Sequence, residues 1–274
     1  LLFQNALDAL ASVLFAAPCR ICERPLLNAS RIPICHECLV SFAVIGETVC
    51  ECCGRPQAAR ETLSEKPVSQ VAVPLASESA PKPANSVALL CRLCRAETFA
   101  FARARNWAAY NSSLTAAIML LKYDEVTRLG DFFAARLAEL HSRLSKIDPA
   151  GWNATVVVPV PLHADRRRER GYNQVDMIAR PLAKKLGLPF RPCLLARTKP
   201  RPARLVLSRS EHWESVRGAY AAREGLRVDG LRILLVDDVM TTGATLDACS
   251  RALLKAGAAE VVGLTVARVV PKLG

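Results

Sequence analysis

The stretch from Ile233 to Thr245 constrains the fold more than any other part of this sequence. Four apolar residues, Ile233 to Val236, read as a buried strand. Two adjacent carboxylates, Asp237 and Asp238, follow at its end, and then a turn of hydroxyl-bearing and small residues: Thr241, Thr242, Gly243, Ala244 and Thr245. Leu246 to Ala256 has apolar positions at helical spacing and stops at Gly257. A strand, a short turn and a helix in that order belong to an open α/β sheet, whose ligands bind beyond the carboxyl ends of its strands. Free N–H groups at the helix start suit a phosphate, aided by the helix dipole. Gly243 lets the backbone approach closely, and the threonines add hydroxyl donors. Carboxylates accept hydrogen bonds from a vicinal diol, so phosphate and diol together describe a ribose 5-phosphate. A simple helix cap needs only one Ser, Thr or Asp, and adjacent carboxylates at a strand end are costly to keep without a ligand.

The chain has eleven cysteines, and their spacing decides their chemistry. Four Cys-x-x-Cys pairs occur: Cys19/Cys22, Cys35/Cys38, Cys50/Cys53 and Cys91/Cys94. Each pair can present two thiolates from one turn to a tetrahedral zinc. Twelve residues separate the first pair from the second, a usual length for a zinc ribbon or knuckle. Eight ligands make two closed Cys₄ sites, which are structural because they leave no position for substrate. In so small a segment the metal supplies much of the folding energy. Pairing in sequential order and nested pairing are both compatible with the spacing. Cys52 reads as a spare thiol able to substitute as a ligand, and His36 as a solvent-facing loop residue. Such pairs beside an enzyme-like half point to metal binding in a reducing cytosol, so a cytoplasmic location is expected. Lys66 to Ser86, rich in Pro, Ser, Ala and Val, reads as a flexible insertion within residues 57–88.

With 274 residues, 51% hydrophobic and 23% charged, the chain has enough apolar mass for one large or two modest globular domains. Its net charge of +12 favours anionic partners: phosphorylated metabolites, nucleic acid or anionic lipid. The first seventeen residues are apolar but interrupted by Gln4, Asn5 and Asp8. They lack the basic n-region of a secretory signal and are too short and polar to span a bilayer. An amphipathic helix over 1–18 and no integral membrane segment are the expectation.

Beyond Cys94 cysteine almost vanishes and helices alternate with strands. Thr155 to Val160, Leu231 to Val236 and Val261 to Ala267 read as strands. Leu114 to Tyr123, Phe132 to Leu144 and Gln174 to Leu186 read as helices, the last bent by Pro181. The alternation implies a mostly parallel sheet. After the Thr155 strand, Pro159 and Pro161 send a rigid loop away from the sheet. Arg166, Arg167, Arg168 and Arg170 then offer guanidinium forks suited to phosphate and pyrophosphate. From Arg191 to Arg227 there are nine Lys or Arg against three Glu.

Residues 233–245 resemble the phosphoribosyl pyrophosphate signature of the type I phosphoribosyltransferases. Together with the Cys pairs, the Pro-Val-Pro loop, Arg170-Gly-Tyr-Asn-Gln174 and Leu121-Lys-Tyr123, they make the chain similar to the ComF family from Cys19 to Arg268. The resemblance implies an α/β fold: a type I phosphoribosyltransferase-like parallel sheet with helices on both faces, behind a small double zinc ribbon. The expected organisation is the helix at 1–18, the ribbon at 19–97 and the phosphoribosyltransferase domain at 98–274. The implied ligand is phosphoribosyl pyrophosphate with Mg²⁺, beside two structural Zn²⁺. Asp237 and Asp238 would be the catalytic pair, holding the ribose hydroxyls directly or through Mg²⁺. Thr241, Thr242, Gly243, Ala244 and Thr245 would cradle the 5-phosphate. Val160, Arg166, Arg167, Arg168 and Arg170 would face pyrophosphate, and Lys199 or Arg201 from a mobile segment would cover the leaving group. In that segment Ala203, His212 and Ser215 stand where the family usually has Gln, Arg and Asn. Thr241 stands where purine-using relatives often carry an Asp that assists as a base. Either the acceptor needs no base, another residue supplies one, or turnover is poor.

The resemblance also implies a link to DNA uptake in natural transformation, with single-stranded DNA and an uptake helicase or channel as partners. Two function classes follow: transfer of a phosphoribosyl group to an acceptor, and a non-catalytic DNA-uptake factor or adaptor. Charge suits nucleic-acid contact, whereas an aromatic content of 5% is low for a base-stacking platform.

Overall fold

The computed structural model describes residues 18–26, 32–57, 89–200 and 208–270. The helix expected at the N-terminus, the insertion expected within 57–88, and Arg201 and Ala203 lie outside the described residues. Four strands form one all-parallel sheet: β1 (Arg103–Ala109), β2 (Val156–Pro159), β5 (Arg232–Met240) and β6 (Glu260–Arg268), in the order β1-β6-β5-β2. A separate antiparallel pair joins β3 (Leu195–Arg197) to β4 (Tyr220–Ala222).

Helices cover both faces of the sheet, which is why β2 and the centres of β5 and β6 are apolar runs rather than alternating ones. Side chains of β5 alternate between two cores. Leu234 and Val236 pack with Leu121 of α3 (Ser112–Tyr123), Phe133 and Leu137 of α4 (Arg128–Ile147), and Ile178 and Leu182 of α6 (Gln174–Leu186). Ile233 and Leu235 pack instead with Leu246, Cys249 and Leu253 of α8 (Ala244–Lys255) and with Leu195 and Tyr220 of the β3–β4 pair. Each fully buried Leu or Ile contributes about 1.5–3 kcal/mol relative to exposure. Helix α6 has the bounds the periodicity predicts, with Pro181 inside it and the Asn173 side chain capping its first turn.

Three sequence expectations shift. The strand opening the signature does not stop at Val236; it continues to Met240, so Asp237 and Asp238 lie within β5. The helix after it begins at Ala244, so Ala244 and Thr245 are helical, and it ends before Gly257, where φ turns to +101°. The arginine run is a helix, α5 (Ala164–Arg170), rather than a loop. Three strands escaped the sequence altogether: the short pair β3 and β4, and β1, whose Arg103, Arg105 and Asn106 mask its pattern.

The cysteine segment is a repeated unit. In the first copy Pro18 bridges Pro25, Cys19 N–H donates to Arg24 O, and Cys35 N–H donates to Cys19 Sγ at 3.3 Å. In the second Val49 bridges Pro56, Cys50 N–H donates to Arg55 O, and Cys91 N–H donates to Cys50 Sγ at 3.3 Å. Short helices α1 (His36–Val40) and α2 (Arg92–Ala96) start directly after Cys35 and Cys91. Both copies attach to the outer side of β1: Ala109 N–H donates to Ala43 O, Ile45 N–H to Trp107 O, and Ala104 N–H to Cys52 O. No described helix is long and apolar enough to cross a membrane.

Candidate functional site

Strand β2 ends at Pro159, opposite Val236, and Val160 N–H makes the last bond to Val236 O at 2.9 Å. Asp237 and Asp238 therefore lie one step beyond the neighbouring strand, while their other side still pairs with β6. This places them at the carboxyl edge of the sheet, where ligands of open α/β sheets bind. Both are buried, at 8% and 5% exposure. Neighbours on a strand face opposite ways, and the two carboxylates accordingly meet different partners.

Asp238 turns to the α3–α6 face. It accepts from Lys122 Nζ at 2.9 Å and from Gln174 Nε2 at 2.7 Å. Burial pushes its carboxyl up, but Lys122 and the hydrogen bonds outweigh that and bring it below the usual carboxylate range. Burial likewise pulls Lys122 down, and Asp238 more than restores it, so the ammonium is held charged. Asp237 accepts from Asp238 N–H at 2.9 Å. Burial, reinforced by the Asp238 charge, pushes its carboxyl up to about 8. The pair thus holds one firmly ionised carboxylate and one that keeps its proton near neutral pH. A divalent cation or a polyhydroxyl ligand alongside would replace that proton as the stabilising partner.

The segment Arg170 to Gln174 braces this edge from the α3–α6 side. The Arg170 guanidinium bonds Gln174 Oε1 and stacks 4.7 Å from the Tyr123 ring centroid. Tyr172 donates its hydroxyl to Leu121 O, next to Lys122. Asn173 Nδ2 donates to Val160 O at 3.2 Å and to Asp176 Oδ1 at 2.9 Å. Sequence reasoning singled out this motif but missed the roles of Lys122 and Gln174. The Leu121-Lys-Tyr123 resemblance was the available signal, yet nothing local says that Lys122 meets a residue on a distant strand.

The other expected residues fall in three groups. Thr241, Thr242, Gly243, Ala244 and Thr245 form the turn and first helical residues just past the carboxylates. Gly243 has φ +92°, and a Cβ there would come within 2.9 Å of Phe99 and 3.0 Å of Met240. Its need for glycine is thus set by packing from inside. Thr242 Oγ1 accepts from Ala244 N–H and lies 3.0 Å from His212 Nδ1 of α7 (Arg209–Val216), giving His212 a partner within the site. Arg166, Arg167 and Arg168 sit on α5 beside Glu169, Asp176 and Asp165, and Arg170 alone of the four joins the Gln174–Asp238 network. Val160 spends both its N–H and its carbonyl on the protein. Lys199 Nζ donates to Arg217 O at 3.1 Å across the base of the β3–β4 excursion.

The eight ligand cysteines come together as two groups, Cys19, Cys22, Cys35, Cys38 and Cys50, Cys53, Cys91, Cys94, with the sulfurs of each group within 4.8 Å of one another. Pairing is sequential, and the nested alternative falls. Four converging thiols in each group suit structural zinc. Cys52 and His36 are in neither group, and His36 is exposed.

Comparison with known proteins agrees with this arrangement. A model of the phosphoribosyl transferase domain matches residues 177–269. The DNA utilization protein YhgH of Salmonella typhimurium is 29% identical over 83% of this chain and 93% of its own length. The competence protein ComFC of Bacillus subtilis is 26% identical over 86% of this chain and 84% of its own. Competence protein F of Haemophilus influenzae is 34% identical, over 38% of this chain and 46% of its own. With the parallel sheet, the strand–turn–helix signature and two Cys₄ groups that fit a double zinc ribbon, the chain is similar over most of its length to the YhgH and ComFC proteins and carries a type I phosphoribosyltransferase fold.

Proposed function

We propose that the chain binds phosphoribosyl pyrophosphate with Mg²⁺ at the carboxyl edge of β5 and transfers its phosphoribosyl group to an acceptor. The observation that carries this reading is the buried Asp237–Asp238 pair, sited beside a helix N-terminus and held on one side by Lys122 and Gln174. Asp237 and Asp238 hold the ribose hydroxyls or the Mg²⁺ that bridges to them, since hydroxyls donate and ionised carboxylates only accept. The N–H groups of Gly243, Ala244 and Thr245, with the Thr241, Thr242 and Thr245 hydroxyls, receive the 5-phosphate. Arg166, Arg167, Arg168 and Arg170, with Lys199 and Arg201, supply the positive field for pyrophosphate, which leaves C1 as positive charge develops on the ribose. Magnesium keeps several waters and takes its remaining oxygens from phosphate and carboxylate, so a dedicated protein cage is not required.

Calorimetric titration with phosphoribosyl pyrophosphate and Mg²⁺ tests the ligand. Binding is expected in the wild type and its loss in the Asp237→Asn, Asp238→Asn double variant. Silence in the wild type overturns the reading.

A second reading has its own support. The names of the relatives speak of DNA utilization and competence, and Arg166 and Arg168 stand exposed on a chain of net charge +12. We infer a cytoplasmic role in handling incoming DNA, with single-stranded DNA or an uptake helicase or channel as partner. Phosphate contacts release counterions, so single-stranded DNA binding that falls steeply with salt is expected; a flat response or no binding at low salt counts against it.

A further inference from the structure

Arg268 closes β6 and is the one arginine among the described residues with no exposure to solvent, at 0%. Its Nη2 lies 3.6 Å from Cys53 Sγ, while Nε and Nη1 have no partner among the described residues. An arginine does not give up its proton in a protein. A buried guanidinium without a carboxylate is among the most expensive groups a fold can hold, unless some other anion lies against it. No carboxylate ion pair with Arg268 occurs among the described residues, and its near neighbour is the second Cys₄ group. Four thiolates around one Zn²⁺ make a doubly negative centre, which has the sign and position that Arg268 lacks.

Among the described residues the first Cys₄ group has no buried arginine of this kind. Arg20 and Arg24 of its knuckle are exposed, and Arg20 is paired with Asp124. The difference fits the surroundings: in the second group Cys50 and Cys53 are wholly buried and Cys91 nearly so, with partial exposure only at Cys94, whereas in the first group Cys22 is partly exposed and Cys35 and Cys38 keep 9% and 8%.

We infer that Arg268 is the buried counter-charge of the second metal centre, so that this zinc site is completed by a residue of the sheet 215 positions away from Cys53. The knuckle contributes the ligands and β6 contributes the cation that makes their burial tolerable. Partners of this kind, outside the ligand set, typically alter metal affinity by about 10–100-fold when removed.

The test uses the zinc-loaded full chain and compares Arg268→Gln with Arg268→Lys. Zinc is withdrawn by a chromogenic chelator, and the cysteines freed at each step are alkylated and identified by mass spectrometry. The expected result for Arg268→Gln is that Cys50, Cys53, Cys91 and Cys94 lose their metal at a chelator concentration at least about tenfold lower than in wild type. Cys19, Cys22, Cys35 and Cys38 keep theirs as before. Arg268→Lys, which preserves the charge, is expected to hold the second zinc within about threefold of wild type, well inside the loss that Gln produces. The inference is overturned if Gln leaves the second site unchanged, if both sites loosen together, or if Lys loses the second zinc as readily as Gln. Should the Gln variant not fold, the Lys variant decides: retained zinc supports the inference, and lost zinc or failure to fold rejects it.

Discussion

The two Cys₄ groups share one local design and are seated in opposite ways. Each has a bridged turn, a backbone N–H aimed at the first sulfur, and a five-residue helix after the third cysteine. The first group belongs to the core under α3, α4 and α6, and is held by apolar packing. Phe42 there meets Trp107 and Phe132 edge-on, at 5.9 and 6.3 Å between ring centroids. The second group belongs to the opposite core, with α8, and is held by polar groups of the sheet. Asn106 of β1 donates to Cys53 O and Gly54 O and accepts from Thr265 of β6. Identical local geometry therefore does not fix how a metal module attaches; the face of the sheet it meets does.

Removing metal is the largest perturbation. Metal analysis is expected to give two zinc per chain, and a value near zero breaks the comparison at its root. Structural zinc supplies on the order of 10–16 kcal/mol in small zinc-binding peptides, so chelation is expected to unfold both ribbons. Disabling one site at a time sharpens the contrast: Cys53→Ser is expected to lower the Tm of the whole chain more than Cys22→Ser, because the second knuckle is bonded to β1 and β6. Equal shifts would mean that the seating is immaterial.

Smaller changes test each mode of attachment. Phe42→Ala removes the aromatic anchor of the first ribbon and is expected to cost about 3–5 kcal/mol in a denaturant titration. A cost under about 1 kcal/mol would show that packing is not what holds that ribbon, since a buried aromatic truncation rarely costs so little. Asn106→Ala strips the side-chain donor from Cys53 O and Gly54 O and leaves the Thr265 hydroxyl only its bond to Ala267 O, with an expected cost of about 1–3 kcal/mol. It is also expected to speed zinc loss from the second site and leave the first alone. Arg20→Ala breaks the exposed pair with Asp124, at 45% and 41% exposure, and is expected to stay within about 1 kcal/mol of wild type.

Much of this molecule is legible in its sequence. Cysteine spacing announces both metal groups, because chelation geometry is local, and apolar runs announce β2, β5 and β6. Which pairs share a metal is not local, and the sequential solution emerges only when the chain is folded. Strand β1 hides because its polar side chains serve distant partners: Arg103 bonds Asp148, and Asn106 reaches the second knuckle. Asp237 and Asp238 are obvious from the signature, but their inequality is not. It comes from strand alternation, which hands Asp238 to Lys122 and Gln174 and leaves Asp237 without a cation in contact among the described residues. The arginine run was read correctly as basic, yet its own helix supplies two of its acids, at Asp165 and Glu169.

The bonds between the ribbons and β1 carry one more consequence. In the order β1-β6-β5-β2, β1 is terminal, and its outward N–H and C=O groups are those that Cys52, Ala43 and Ile45 engage. Were the metal lost, that rim would face water unpaired. A bare strand of this kind is a template for pairing with a neighbouring molecule. Loaded with metal, the two Cys₄ modules would guard against self-association, and in metal-starved protein light scattering should rise before helicity is lost.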